Sequence, residues 1–457
     1  MIRSLLACLM MLALAACAGM PSGGPPLESI RFAPVTLPKG VARSNRELAQ
    51  DFLDLTFQLE NGEQLQHLLR YEGPVRVYMG STSLAPYQPD LAALLNRLRV
   101  EAGVDISQTD DASAAQIHIE AVPSAQIAKV FPTAACFIVP GERDWHGFRS
   151  GPGEIHPRWS AQTTLGAAAI FLPPDSTPQD IRDCLNEELT QALGPAMDLY
   201  RLPDSIWNDD NFHGMATRFD MTILRTLYQP ELHSGMTKAE VAARLPKLLA
   251  RTNPQGRSLP ARRRAPESRP WAEAIEAAQA QETTHDERLA AADLATQIAA
   301  GMRPVDHRLG VSLLALGRLS LRQDPSYAAT NFMEAYELFR TRLGPHDLRT
   351  AQAGVHLAAL LLGTAQYRDA IAIADLHVPD GIAYQNAILV ASLLSIKAEA
   401  LSQLDRAKQA QAVRLDSLLW ARYGFGDSDG SLGREQAELT ALIDQQQTAS
   451  RISGGGR

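Results

Sequence analysis

The chain has 457 residues, 45% of them hydrophobic and 21% charged, which is enough apolar material for two or three ordinary domains and excludes a disordered or fibrous protein. Its formal net charge of −8 argues against a non-specific nucleic-acid binder, because that role needs a cationic face to displace counterions from phosphate. No Gly-rich phosphate cradle follows a predicted strand, so no nucleotide partner is expected either.

The first seventeen residues join one early cation, Arg3, to the apolar run Leu5 to Ala16, which is too short for a permanent membrane span. The run ends in Leu14-Ala15-Ala16-Cys17, which resembles the bacterial lipoprotein box. That resemblance implies a signal peptide over residues 1–16, cleavage before Cys17, and a diacylglycerol on its sulfur with a third, amide-linked acyl chain such as palmitate, which together anchor the protein to a membrane. Ala18, where resident inner-membrane lipoproteins carry Asp, implies the outer membrane with the protein facing the periplasm. Residues 17–43, rich in Gly, Pro and Ser, are expected to be a flexible tether. Of the four cysteines, Cys8 leaves with the signal and Cys17 takes the lipid, so Cys136 and Cys184 remain, and in an oxidising compartment they are expected to form a disulfide.

Residues 44–250 read as a mixed α and β module. Strands are predicted at Leu65 to Arg70, Pro74 to Tyr78, Gln116 to Glu120 and Ala168 to Leu172. A helix is predicted over Pro89 to Ala102, with Leu91, Leu94, Leu95 and Leu98 on one face. His118 alternates with Ile117 and Ile119 and is expected on the opposite face, towards solvent. Asp175 to Asp180 supply capping residues and a first-turn proline for a helix that runs to about Leu193 and stops at Gly194-Pro195.

That helix carries Glu187-Glu188-Leu189-Thr190-Gln191-Ala192-Leu193-Gly194. It resembles the zincin metallopeptidase motif His-Glu-x-x-His-x-x-Gly, in which two histidines on one helical face bind zinc and the glutamate polarises a water. Here Glu187 and Gln191 stand in the ligand positions, Glu188 in the general-base position, and Met197 where a third histidine would fall. A carboxylate and a carboxamide form a hard, weak site suited to calcium or to no metal. Asp204-Ser205-Ile206-Trp207 stands where metzincins place their Ser-Ile-Met turn, and Phe219 to Tyr228 looks like their closing helix.

More closely, residues 44 to about 250 resemble the family of uncharacterised bacterial proteins known as DUF2927. The resemblance is carried by Ser44-Asn45, Asp51 to Phe57, Tyr71-Glu72-Gly73-Pro74, Ala134 to Phe137, the helix motif, Asn208-Asp209-Asp210 and Ser234 to Thr237. It implies no known activity. Three readings of the acidic helix stay open, the first favoured. Glu187 and Glu188 are structural residues on an inert scaffold; or Glu188, Gln191, Asp198, Asp204, Asp209 and Asp210 line a cleft for a peptide or glycan; or Glu188 is the base of a residual metal-dependent hydrolase. His213, near Asp209 and Asp210, reads as a solvated loop residue.

Residues 251–269 combine prolines with the cluster Arg262-Arg263-Arg264 and read as a solvated linker, with contact to anionic lipid as the sharper option. From Pro270 strand signals vanish and helix pairs recur about every 40 residues. The stretch Leu343 to Asp347 through Gln366 to Ala370 resembles the long-unit tetratricopeptide repeat. Residues 270–450 are thus expected to form helical repeats, with Phe332, Tyr336, Phe339 and Tyr367 in the core and a capping helix over Arg434 to Gln447. The expected fold is an α+β zincin-like domain followed by an all-α tetratricopeptide-like domain. The expected role is a non-catalytic interaction or scaffold module with no cofactor and a protein partner on the repeats. The alternative is a divergent metal-dependent hydrolase acting on a periplasmic substrate.

Overall fold

The computed structural model describes residues 42–59, 61–132, 134–151, 156–208, 212–280 and 283–426. Helix α1 (Asn45–Phe57) opens on a reciprocal cap, in which Ser44 Oγ accepts from the Glu47 amide and the Glu47 carboxylate accepts from the Ser44 amide. A five-stranded sheet follows, built from β1 (Val75–Met79), β2 (Ile106–Gln108), β3 (Ile117–Ala121), β4 (Phe137–Pro140) and β5 (Ala168–Leu172). Its order is β2-β1-β3-β5-β4, parallel throughout except for β4, which pairs antiparallel with β5 at one edge. Helix α2 (Gln88–Arg97), extended by a π turn over Leu98–Ala102, crosses from β1 to β2 and buries Leu91, Leu94, Leu95 and Leu98.

Strand β5 is buried along its whole length, because the interior of a parallel sheet is covered on both faces. Ala168, Ile170 and Leu172 enter the main core, while Ala169 and Phe171 pack with Phe137 and Phe148 on the other side. Helices α3 (Pro178–Gln191), α4 (Arg218–Leu227) and α5 (Lys238–Thr252) complete this α/β domain. Cys136 and Cys184 form a disulfide that ties the approach to β4 onto α3.

Three expectations are corrected here. Leu65 to Arg70 is not a strand: the Leu68 amide donates to Met236 O, Gly235 N donates back to Leu68 O, and Arg70 N donates to Ser234 Oγ, so this backbone is satisfied by a loop. His118 does oppose Ile117 and Ile119, but it is only 9% exposed, with its Nε2 3.3 Å from Arg143 Nη1 and its ring against Tyr78. Burial pushes its pKa down. The stretch after α5 is exposed over Pro260 to Arg263, as expected of a linker, but its end is not solvated: Ala265 is buried and Arg264 Nη1 donates to the buried carboxylate of Asp51 at 2.8 Å.

The rest of the described chain is all helical: α6 (Arg269–Gln279), α7 (His285–Gly301), α8 (His307–Ser320), α9 (Pro325–Arg342), α10 (Leu348–Gly363), α11 (Tyr367–Ala383), α12 (Ala387–Gln403) and α13 (Ala407–Phe425). Each helix packs on the next, and α10 also packs on α12. Close approach uses small residues: a Cβ on Gly310 or Gly317 of α8 would lie 2.5 or 2.6 Å from the Phe339 or Phe332 ring of α9. Phe332 and Phe339 are fully buried, and Tyr336 and Tyr367 pack at the edge of that core. Among the described residues no helix is long and apolar enough to cross a membrane.

Candidate functional site

Helix α3 is positioned from both ends. Thr177 and Asp180 form its reciprocal N-terminal cap, and Pro178 occupies the first turn. At the other end Gly194 has φ +139°, and a Cβ there would lie 2.6 Å from Leu69 O, so the chain can turn off the helix only at glycine. The segment that ends the helix is then held by Tyr228, whose hydroxyl donates to Leu193 O at 3.0 Å.

Within the motif, Glu187 is half-buried and Glu188 is 6% exposed. Gln191 Nε2 donates to both carboxylate oxygens of Asp198 at 2.9 Å each. Thr190 Oγ1 accepts from Trp207 Nε1 at 3.1 Å, which seats the Ser205-Ile206-Trp207 turn against the helix. That turn is fixed by Asp220, whose carboxylate accepts from Ser205 Oγ (2.6 Å), Ile206 N (3.0 Å) and Thr217 N (2.6 Å). Burial pushes the Asp220 carboxyl up to about 6 in spite of these donors. Met197 packs against the main core.

Two of the acidic residues singled out from the sequence have partners of their own. Asp198 faces Gln191, whereas Asp204 is held by Arg43 at 2.7 and 2.5 Å. Asp209, Asp210, Cys17 and the Arg434 to Gln447 helix lie outside the described residues. Among the described residues no group of three or more His, Cys, Asp or Glu side chains is arranged to hold a metal. His213 is not a solvated loop residue: its Nε2 lies 2.9 Å from Pro203 O, and Tyr384 of α11's end packs edge-on against its ring. Burial and the neighbouring Arg349 push its pKa down to about 3.

Two clusters were not read from the sequence. In the first, the fully buried Asp51 pairs with Arg43, Arg201 and Arg264, and Arg201 Nη2 also reaches Asp54 at 2.8 Å. Burial alone would raise the Asp51 pKa, but Arg201, Arg43 and Arg264 outweigh it and hold the carboxyl below its usual value. This cluster joins α1, the loop after α3 and the stretch before α6.

The second cluster joins the α/β domain to the helical array. Arg182 of α3 donates to Gln385 O at 2.5 Å, and Gln179 Oε1 accepts from Ala387 N (2.7 Å) and Ile388 N (3.1 Å), capping α12 across the junction. Arg349 donates to Pro203 O and lies 4.9 Å from the Phe212 ring, and His307 Nε2 lies 2.7 Å from Tyr200 O. The signal available beforehand was the recurrence of Asp-x-Arg at Asp306-His307-Arg308 and, one unit later, Asp347-Leu348-Arg349, each starting a helix with Asp as its cap.

The fold and site thus define a class: an α/β domain with a mixed five-stranded sheet and a capped acidic helix, followed by an all-helical region. Residues 45–247 match the model of a family described as a protein of unknown function, DUF2927. No curated protein and no solved structure matches the chain.

Proposed function

We propose that this is a lipid-anchored cell-envelope protein whose metallopeptidase-like domain serves as a non-catalytic interaction or scaffold module, with the tetratricopeptide-like helices receiving a protein partner. The observation that carries the non-catalytic reading is the paired bond from Gln191 Nε2 to Asp198. A zinc ligand must present a lone pair to the ion. Gln191 instead turns its donor amide onto a carboxylate, and Met197, in the third-ligand position, packs against the core. Glu188, in the general-base position, is nearly closed off from water. These residues do not fit a zinc ion, and no catalytic step is derived through one.

The zincin-like reading is supported by a sheet that feeds α3 directly from β5 and by the Ser205-Ile206-Trp207 turn lodged under that helix. The repeat reading is supported by consecutive helix pairs with glycines seating aromatic rings. The Cys136–Cys184 disulfide suits an oxidising compartment such as the periplasm, in keeping with lipidation at Cys17 and an outer-membrane location.

The reading is tested by site-specific photocrosslinking in cells from the exposed array residues Met333, Leu376 and Leu415, in the parent chain and in Glu188→Ala. A discrete adduct of the same mass and yield in both is expected. No adduct, or an adduct that appears only when Glu188 is removed and a bound substrate is trapped, would contradict it.

A further inference from the structure

The junction between the α/β domain and the array is polar, buried and populated by titratable groups. His307, 3% exposed, directs Nε2 at Tyr200 O, and His213 directs Nε2 at Pro203 O. Arg349 donates to that same Pro203 carbonyl, with its Nη1 3.5 Å from His213 Nε2. Both imidazoles thus donate Nε2–H to backbone carbonyls, beside a permanent cation that is itself fully buried and opposes a second positive charge. We propose that this junction is a pH-sensitive clasp: protonation of His213 and His307 next to Arg349 loosens the hold of the array on the α/β domain.

The charged groups facing these rings decide the direction. His307 is faced by Arg349 and Arg308, which disfavour its charge, and by Asp306, which favours it. His213 is faced by Arg349, by Asp204 and by the Tyr384 ring. Desolvation outweighs the two aspartates, and each imidazole titrates at about 3 in the closed form. Such groups leave the closed form undisturbed above the ordinary histidine pKa of about 6.5 and weaken it progressively as pH falls. Asp183 works the other way. Its carboxylate lies against Gly214, where a Cβ would be 2.2 Å from Oδ1, and burial pushes it up to about 6, so it takes a proton in the closed form first.

The net effect follows from linkage. Between pH 7.5 and pH 5 each imidazole weakens closure about thirtyfold, the two together about a thousandfold, and Asp183 restores about tenfold, leaving about a hundredfold. The amides of Ala387 and Ile388 report this directly, since both donate across the junction to Gln179. Hydrogen exchange on the full chain, corrected for the intrinsic pH dependence, should show their protection falling about a hundredfold over that range.

In the double variant His213→Gln, His307→Gln, which keeps an N–H donor but cannot gain a proton, the fall should vanish and give way to the rise of about tenfold that Asp183 alone supplies. His356→Gln, a buried imidazole of the array distant in role from the junction, should keep the parent fall. Where the double variant fails to dock at neutral pH, each single variant should show a fall of only about threefold. Unchanged protection in the parent chain, an equal fall in the double variant, or an onset only below about pH 4, where carboxylates titrate, would overturn the proposal.

Discussion

Replacing Asp51 with alanine removes the one carboxylate that Arg43, Arg201 and Arg264 share. The cost is less than three broken pairs, because Arg43 keeps Asp204 and Arg201 keeps Asp54. Arg264, whose side chain is 26% exposed, can turn towards water. What remains is near the cost of one broken buried pair, about 3–5 kcal/mol, a large part of a stability of about 5–15 kcal/mol. Asp51→Asn, which keeps an acceptor oxygen, should cost about 2–3 kcal/mol. Urea unfolding followed by tryptophan fluorescence measures both. The pH dependence adds a second check. A carboxyl held below its usual pKa stabilises above the unfolded value of about 3.9 and loses that contribution as pH falls through its folded value, so the deficit of Asp51→Asn should shrink below about pH 4. An Asp51→Ala chain within about 1 kcal/mol of the parent would refute the assignment of this cluster as a joint of the fold.

Three further outcomes are expected. Gly194→Ala should destabilise by more than about 3 kcal/mol in the same assay, since it combines a left-handed backbone with a clash against Leu69 O. Cys136→Ser should cost about 4 kcal/mol, because the disulfide closes a loop of 48 residues, and it should remove the mobility difference between reduced and unreduced protein on gels. Cys17→Ser should move the protein from the membrane to the soluble fraction and abolish incorporation of labelled palmitate. Retention in the membrane would contradict the anchor.

Much of the sheet and of α3 could be read from the sequence because their cues are local. β5 matches its predicted bounds, and the α3 cap, first-turn proline and terminal glycine all occupy their expected places. β4 was not picked out because Phe137 to Pro140 is a four-residue edge strand with no alternation to distinguish it. Leu65 to Arg70 has strand composition, but its hydrogen bonds go to residues 234–236, a pairing that composition does not encode. The same limit explains the misreadings of His118, His213 and Arg264. Each is polar and locally unremarkable, and each is engaged by a partner outside its own local stretch: His118 by Arg143, His213 by Tyr384 and Arg264 by Asp51. In the motif helix, residue types could be read, but the turn of Gln191 towards Asp198 depends on how the chain leaves Gly194.

The most direct test of the non-catalytic reading is the metal content of the full chain, purified without chelators or an affinity metal column and measured by plasma mass spectrometry against protein concentration. The expected result is far less than one zinc, calcium or manganese per chain, unchanged in the Glu187→Ala, Glu188→Ala double variant. Near-stoichiometric metal that disappears in that variant would contradict it and restore a metal-dependent hydrolase.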